Sequence, residues 1–182
     1  LIAVQVIRQF YPRCEVVIVD RNQFKLDIGS RHGAVTYSVG DEESWGGFLA
    51  EMDGLFDQVI EFAGTPETFS AAVRIAAPGA RVVWAGNISG DLSLPKSLVS
   101  SILRKELTVL GTWNSIYKGA SVCDWTRSLE LIAKGLRPSE LVSLRIGLDD
   151  LDETLGKLYA HKMRQSRFEV IKVLVDPQAR NA

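Results

Sequence analysis

The sequence is poor in the residues that most often bind metal ions or form cross-links. Two of its 182 residues are cysteine and two are histidine. Cys14 and Cys123 form no Cys-x-x-Cys pair, and neither His32 nor His161 has a partner at metal-ligand spacing. This pattern excludes a disulfide framework and a cysteine-based zinc site. We therefore expect no metal bound by this chain and a reducing, cytoplasmic location.

The chain also lacks an excess of charge and any long apolar run. Lysine and arginine total 21 against 22 aspartate and glutamate residues, a formal net charge of −1. No global field therefore attracts nucleic acid or an anionic membrane, and the apolar runs are far shorter than the roughly 20 residues of a membrane-spanning helix. The sequence opens at Leu1 on an apolar stretch without a methionine, which predicts a piece of a longer protein.

Several well-known motifs are missing. The sequence contains no Gly-x-Gly-x-x-Gly, no Gly-x-Ser-x-Gly and no Gly-Lys-Ser/Thr, and no tyrosine is followed by lysine four residues later. These absences argue against hydrolases, P-loop proteins and short-chain dehydrogenases.

What the sequence does contain is an alternation of apolar, strand-length runs and amphipathic segments. The run from Cys14 to Asp20 has the composition of a buried parallel strand, and residues 1–10 have the pattern of a helix packed on a sheet. Further strands are predicted at 34–37, 55–62, 81–86, 106–113, 141–145 and 168–175, with helices near 24–28, 66–76, 94–103, 124–134 and 148–158. The predicted fold class is α/β, a Rossmann-like doubly wound parallel sheet with a C-terminal strand-helix-strand tail.

Local end signals define several of these helices. Thr65-Pro66-Glu67 supplies a capping hydroxyl, a first-turn proline and an acid, and Pro78-Gly79 is expected to end the same helix. Gly29 or Gly33 closes the helix that follows Asp20, and Ser121-x-x-Asp124 resembles a capping box.

Asp20 is the first candidate functional residue, because ligands of doubly wound sheets bind outside the carboxyl ends of the strands. A carboxylate there accepts both hydroxyls of an adenosine ribose and repels a 2′-phosphate, which predicts NAD over NADP; alternatively, Asp20 only begins a turn. Lys25 would add a charge near the same ribose, whereas Arg21 would favour a 2′-phosphate. The glycine-rich fingerprint belongs about 20 residues earlier, so the first strand and its glycine loop are expected to precede Leu1.

Four segments, taken in order, resemble one family. They are Val-Val-Ile-Val-Asp20, Gln58-Val-Ile-Glu61-Phe-Ala-Gly64, Gly79-Ala-Arg-Val-Val-Trp-Ala-Gly86 and Arg104-Lys-Glu-Leu-Thr-Val-Leu-Gly111-Thr-Trp. Their order and spacing resemble the medium-chain, zinc-dependent alcohol and polyol dehydrogenases over essentially the whole chain. The similarity is greatest to the sugar-alcohol branch, which includes galactitol-1-phosphate and sorbitol dehydrogenases.

The resemblance implies NAD as the cofactor, with residues 1–137 as an incomplete NAD-binding domain and residues 138–182 as a tail that returns to a catalytic domain. Asp20 and Lys25 would hold the adenosine ribose, and Lys172 would approach the pyrophosphate unless it is only a solvated edge-strand lysine. The loop at Ala63 and Gly64 would pass the adenine side. The nicotinamide would be lined by the backbone of Ala85, Gly86, Asn87, Leu110, Gly111 and Thr112.

The resemblance also implies what this chain does not supply. The zinc ligands of the family come from an N-terminal catalytic domain, so zinc would be bound only by a full-length enzyme and no catalytic residue is expected here. That enzyme would oxidise a secondary hydroxyl of a sugar alcohol to a ketone by hydride transfer to NAD. The edge strand at residues 107–113 would pair with its twin in a homodimer.

Two other interpretations stay open. The chain is alternatively a non-catalytic, dimerising remnant of that family with little cofactor binding. It is otherwise a methyltransferase-like Rossmann domain, in which an acid after the second strand holds the ribose of S-adenosylmethionine. The segment Gly111-Thr-Trp and the downstream tail argue against the methyltransferase.

Overall fold

The computed structural model describes residues 1–119, 123–163 and 165–179, along which helices and strands alternate. The strands are β1 (Val17–Asp20), β2 (Val35–Ser38), β3 (Phe56–Glu61), β4 (Ala76–Trp84), β5 (Thr108–Gly111), β6 (Val142–Ile146) and β7 (Lys172–Val175). The helices are α1 (Ile2–Phe10), α2 (Gln23–Arg31), α3 (Glu42–Glu51), α4 (Pro66–Ile75), α5 (Lys96–Arg104), α6 (Asp124–Ala133) and α7 (Leu151–Lys162), with a 3-10 helix at Pro138–Leu141. The ladders between these strands are parallel, as predicted. No helix in the described ranges is both long and apolar enough to cross a membrane.

Contacts divide the chain into two compact units. The first consists of Leu1–Ser38 and Trp125–Ala182, and the second of Val39–Asp124. The boundary predicted between residues 137 and 138 follows the family pattern rather than the density of contacts, and it stays a prediction.

In the first unit, helix α1 packs on the parallel pair of β1 and β2. Val4 of the helix is buried with Val16 and Ala34, which lie just before the two strands. This confirms the prediction of a helix on a sheet. The strand begins at Val17 rather than at Cys14, whose carbonyl oxygen instead accepts a 2.8 Å hydrogen bond from the Arg8 guanidinium. Strands β6 and β7 form a second parallel pair in this unit.

Helix α2 begins directly after β1 and fixes the carboxyl end of that strand. The side chain of Asn22 caps the helix by accepting a hydrogen bond from the Lys25 N–H. Gly33, with φ of +82°, follows the helix end and closes it, whereas Gly29 lies inside the helix. A Cβ on Gly29 would overlap Cδ1 of Ile18, so the glycine lets α2 approach β1 closely.

The second unit is built on a three-stranded parallel sheet in the order β3-β4-β5. Its core consists of small side chains, which allow helix α4 to lie close to the sheet: Ala72, Ala76, Ala80 and Val82. The ring of Trp84, at the end of β4, packs on Phe69 of α4 with ring centroids 4.9 Å apart. This packing brings the start of α4 next to the ends of β3 and β4.

Helix α4 begins as predicted. Thr65 and Thr68 form a reciprocal capping box, and Pro66 occupies the first turn. The end of the helix was predicted wrongly: α4 stops at Ile75, and Pro78-Gly79 lies within β4. The pairing of β3 with β4 shifts register between Phe56 and Gln58, which accommodates this irregular start of the strand.

Helix α3 is absent from the sequence-based predictions. Asp41 begins it with a capping box, accepting the Ser44 N–H at 2.8 Å, and Glu42 and Glu43 lie in its first turn. The backbone and side-chain hydrogen bonds of Ser44 hold the pKa of Asp41 below its usual value. Helix α6 begins at Asp124, which the capping-box prediction makes the third residue of the helix; Ser121, the predicted capping residue, lies outside the described residues.

Lys105 connects the end of α4, the start of β4 and the segment before β3. These contacts lie at the edge of the second unit's sheet opposite its carboxyl edge. Nζ of Lys105 donates hydrogen bonds to the carbonyl oxygens of Arg74 at 3.0 Å and Ala76 at 2.9 Å, and it lies 3.8 Å from Oδ1 of Asp53. Charged donors to helix-end carbonyls contribute about 1–3 kcal/mol. We expect Lys105→Met to lower the free energy of unfolding by about that amount in urea denaturation. The exposed Lys134, changed to methionine, is the control; equal losses for the two variants would contradict the assignment.

Candidate functional site

Asp20 lies at the carboxyl end of β1, where its side chain is fixed but still one-third exposed. Its Oδ1 accepts the Asn22 N–H at 2.9 Å, and its Oδ2 lies 3.7 Å from Nζ of Lys25. Each carboxylate oxygen has more than one acceptor position, so an outside donor can still bind. The structure therefore brings Asp20 and Lys25 together at the start of α2, as the sequence predicts.

Arg21 and Lys172, unlike Lys25, have no described contact with Asp20. Arg21 follows β1 with an exposed side chain. Lys172 is the first residue of β7, exposed, and paired in register with Val142 of β6. The described contacts of Lys172 are those of this strand pair and do not include Asp20. Its assignment to a pyrophosphate stays a prediction.

In the second unit, the loops after β3 and β4 are joined at the carboxyl edge of the sheet. The carbonyl oxygen of Glu61 accepts the N–H groups of Ala85 and Gly86, each at 2.9 Å. The carbonyl oxygen of Gly64 accepts the N–H of Ser89 at 2.9 Å. These bonds hold the backbone of the two loops side by side, although the chain positions are more than 20 residues apart.

Two glycines permit this close approach. Gly64 has a φ of +73°, in the left-handed region, and a Cβ on it would overlap the carbonyl oxygen of Asn87. A Cβ on Gly86 would lie 2.5 Å from the backbone nitrogen of Gly64 and 2.5 Å from Oε2 of Glu61. Neither position has room for a side chain. The structure thus brings together four residues predicted for the cofactor: Gly64, Ala85, Gly86 and Asn87.

The end of β5 continues the same edge. Gly111 lies opposite Trp84 in the parallel register, and the Thr112 N–H donates to the Trp84 carbonyl oxygen at 3.0 Å. Leu110, Gly111 and Thr112 are exposed, as is Ala63. Exposed residues therefore follow or end three neighbouring strands at one edge, which is where doubly wound sheets bind ligands.

No role for the side chain of Glu61 is predicted from the sequence. The structure buries this residue to 5% exposure and places its Oε1 within 2.8 Å of both the Gly64 N–H and the Thr68 hydroxyl. The signal in the sequence is an acid that ends an apolar strand, with glycine three residues and threonine seven residues later. That spacing is uninformative until α4 is known to fold back over the strand end.

Within the described ranges, no group of three or more histidine, cysteine, aspartate or glutamate side chains is placed to hold a metal ion. The donor set of these described residues therefore does not fit a zinc centre. That a full-length enzyme binds zinc through other residues stays a prediction.

Comparisons with known proteins agree on one family. The family model described as zinc-binding dehydrogenase matches residues 1–134. Galactitol 1-phosphate 5-dehydrogenase of Escherichia coli K12 is 30% identical over 131 residues, which are 67% of this chain and 38% of that protein. L-threonine 3-dehydrogenase of Yersinia enterocolitica is 26% identical over 149 residues, or 81% of this chain and 42% of that protein.

Solved structures agree with these matches. The crystal structure of galactitol-1-phosphate dehydrogenase from Escherichia coli superposes with a TM-score of 0.70 at 25% identity, covering 93% of this chain and 49% of that one. The structure of a zinc-binding dehydrogenase from Sinorhizobium meliloti, bound to NADP, gives a TM-score of 0.69 at 25% identity. The match covers 96% of this chain and 48% of that one. The structure of an Escherichia coli alcohol dehydrogenase complexed with NADH gives a TM-score of 0.73 at 22% identity. The match covers 94% of this chain and 47% of that one, and it supports the fold.

These neighbours confirm the Rossmann-like fold class. The chain spans about half the length, or less, of the relatives that it matches. It belongs to the zinc-binding, medium-chain alcohol dehydrogenase family and corresponds to a C-terminal portion of that family's chain.

Proposed function

We propose that this chain is the NAD-binding, C-terminal part of a zinc-dependent dehydrogenase that oxidises a secondary alcohol of a sugar alcohol, or of its phosphate, to a ketone. The observation that carries the proposal is Asp20, a partly exposed carboxylate fixed at the carboxyl end of a parallel strand. The substrate class is supported by the named activity of the galactitol 1-phosphate relative. A cytoplasmic location belongs to the same proposal.

Each unit, taken by itself, carries residues that suit a part of a dinucleotide. Asp20 offers an acceptor for the adenosine ribose hydroxyls, with Lys25 beside it. Gly64 and Gly86 let the two loops lie against each other with no side chain between them, and the exposed Ala63 and Asn87 beside them are accessible to a flat ring. NAD, when bound, supplies the acceptor for the hydride that leaves the alcohol carbon. The residues of this chain bind and orient it, and none is assigned a catalytic role.

The assignment of Asp20 predicts a specific loss of affinity. We expect Asp20→Ala to raise the dissociation constant of NADH about ten-fold or more, because a charge-assisted hydrogen bond to the ribose is worth about 1.5–3 kcal/mol. The affinity for NADPH should fall less, since the carboxylate repels a 2′-phosphate. Both constants are measured by quenching of tryptophan fluorescence.

The control for Asp20 is Asp27→Ala, an exposed acid in the following helix α2 that accepts a hydrogen bond from Gln23. It should leave both affinities within about two-fold, a difference of under 0.5 kcal/mol. If Asp20→Ala and Asp27→Ala behave alike, Asp20 only begins a turn and the cofactor assignment is wrong.

We also propose that the chain forms a homodimer through the strand at residues 107–113. In the second unit β5 lies at the edge of its sheet, and β4 is its only ladder partner among the described residues. Exposed apolar side chains continue along this edge, Leu110 at 44% and Trp113 at 67% exposure. Leu107, the first residue of this segment, lines a groove together with Val99 and Leu103 of α5. An unpaired, apolar edge of this kind favours pairing with an identical strand.

The dimer is tested by sedimentation of Trp113→Glu. We expect a dimer for the wild type and at least a ten-fold weaker dimer for the variant, because the change places a charge in an apolar interface. Trp125→Glu, at an equally exposed tryptophan in α6, is the matched control and should leave the dimer intact. A wild-type monomer, or equal weakening by both variants, would show that this edge is not the interface.

A further inference from the structure

Glu61 stands out among the described residues as a buried ionisable side chain, at 5% exposure. It is the last residue of β3 and therefore lies under the loop edge of the second unit. A carboxyl group removed from water is costly unless hydrogen bonds replace its hydration. Its contacts show what the burial achieves.

The side chain of Glu61 fastens the first loop. Its Oε1 accepts the Gly64 N–H and the Thr68 hydroxyl, both at 2.8 Å. Thr68 also belongs to the capping box of α4, so the bond ties the loop to the first turn of that helix. The left-handed Gly64 directs its N–H at the carboxylate, away from any helix or strand ladder.

The main chain of Glu61 fastens the second loop, since its carbonyl oxygen accepts the N–H groups of Ala85 and Gly86. The second carboxylate oxygen, Oε2, is buried without a hydrogen-bond partner among the described atoms. It lies against Gly86, where a Cβ would approach it to 2.5 Å. The carboxyl group is thus held between the N-terminus of α4 on one side and the Gly86 backbone on the other.

We propose that Glu61 is a positioning residue for the dinucleotide: it fixes Gly64 and Gly86 relative to one another and so sets the shape of the backbone that the cofactor contacts. This inference rests on the proposed NAD-binding function. Glu61 does not touch the cofactor and acts through the two glycines. This role accounts for an acid at a buried strand end with one oxygen unpartnered, where an apolar residue would pack without the desolvation cost.

The test compares Glu61→Met, which keeps the volume and removes both acceptors, with Glu61→Gln, which keeps one carbonyl oxygen. In Glu61→Met we expect amide hydrogen exchange at Gly64 and Gly86 to accelerate at least ten-fold and the dissociation constant of NADH to rise at least ten-fold. The emission maximum of bound NADH should shift as well, since it reports the surroundings of the nicotinamide. Glu61→Gln should restore exchange and affinity to within about three-fold of the wild type.

Loss of stability alone is controlled by Lys105→Met, which weakens the same unit at its opposite edge. It should leave exchange at the two glycines and the NADH emission spectrum unchanged. If Glu61→Met fails to fold, Thr68→Val serves instead, since it removes one of the two donors and leaves the acid in place. Thr68→Val should accelerate amide exchange at Gly64 several-fold and lower the affinity for NADH by a similar factor.

The outcomes separate the two proposals. Wild-type exchange at Gly64 in both Glu61→Met and Thr68→Val overturns the positioning role. Faster exchange with unchanged NADH affinity and emission also overturns it, while the NAD-binding function stands. If the wild type binds no NADH, the proposed function is wrong, and the positioning of a cofactor is wrong with it, even where exchange shows that Glu61 anchors the loops.

Discussion

Replacing Gly64 by alanine is expected to lower the free energy of unfolding by about 2–4 kcal/mol and to raise the dissociation constant of NADH at least ten-fold. Two costs add at this position. The residue has a φ of +73°, which strains any residue with a side chain, and the new Cβ would overlap the carbonyl oxygen of Asn87. Because the overlapped atom belongs to the backbone, it cannot turn aside as a side chain would, and the two loops must separate.

The matched control is Gly79→Ala. Gly79 has nearly the same φ, +77°, but a Cβ there meets no atom within 4 Å. Its loss should be confined to backbone strain, about 1 kcal/mol in urea denaturation, with unchanged NADH affinity. The difference between the two variants measures the cost of separating the Gly64 and Asn87 backbones. Equal losses, or full NADH affinity in Gly64→Ala, would contradict the geometry of the edge.

Gly86→Ala is expected to have the second large effect, a loss of about 1–3 kcal/mol together with at least ten-fold weaker NADH binding. The backbone conformation is not the reason, since Gly86 lies outside the left-handed region. The new Cβ would approach the Gly64 nitrogen and Glu61 Oε2 to 2.5 Å each and the Gly64 Cα to 2.7 Å. The buried carboxylate and both loops would have to move.

Gly111→Ala is the control for Gly86→Ala, because it lies at the end of the neighbouring strand and a Cβ there meets nothing within 4 Å. We expect unchanged stability, measured by urea denaturation. Its effect on NADH affinity tests the nicotinamide assignment separately, since a methyl group would enter the space next to the ring. A destabilisation as large as that of Gly86→Ala would show that close packing at this edge is not specific to the Gly64–Gly86 contact.

Much of the fold was predictable because its signals are local. The strand that ends in Asp20 is marked by a run of β-branched residues, although the structure leaves it half-buried rather than buried as predicted, and the start of α4 is marked by the side chains of Thr65 and Pro66. Each of these features is decided within a few residues by hydrogen bonds or chain stiffness. The family resemblance was also carried by such strand-end motifs.

The features that were missed depend on contacts between distant segments or on weak local patterns. Helix α3 is only weakly amphipathic, although Asp41 and Ser44 form a capping pattern that the sequence contains. The early start of β4 depends on a register shift against β3. The burial of Glu61 depends on Thr68, Gly64 and Gly86 meeting around it, which no spacing in the sequence specifies.

The most direct test of the central claim is a calorimetric titration of the polypeptide that carries these residues with NADH, NADPH and S-adenosylmethionine. We expect saturable binding of NADH with which NAD competes, weaker binding of NADPH, no binding of S-adenosylmethionine, and loss of the NADH signal in Asp20→Ala. Binding of S-adenosylmethionine without NADH, or binding of none of the three, would contradict the central claim.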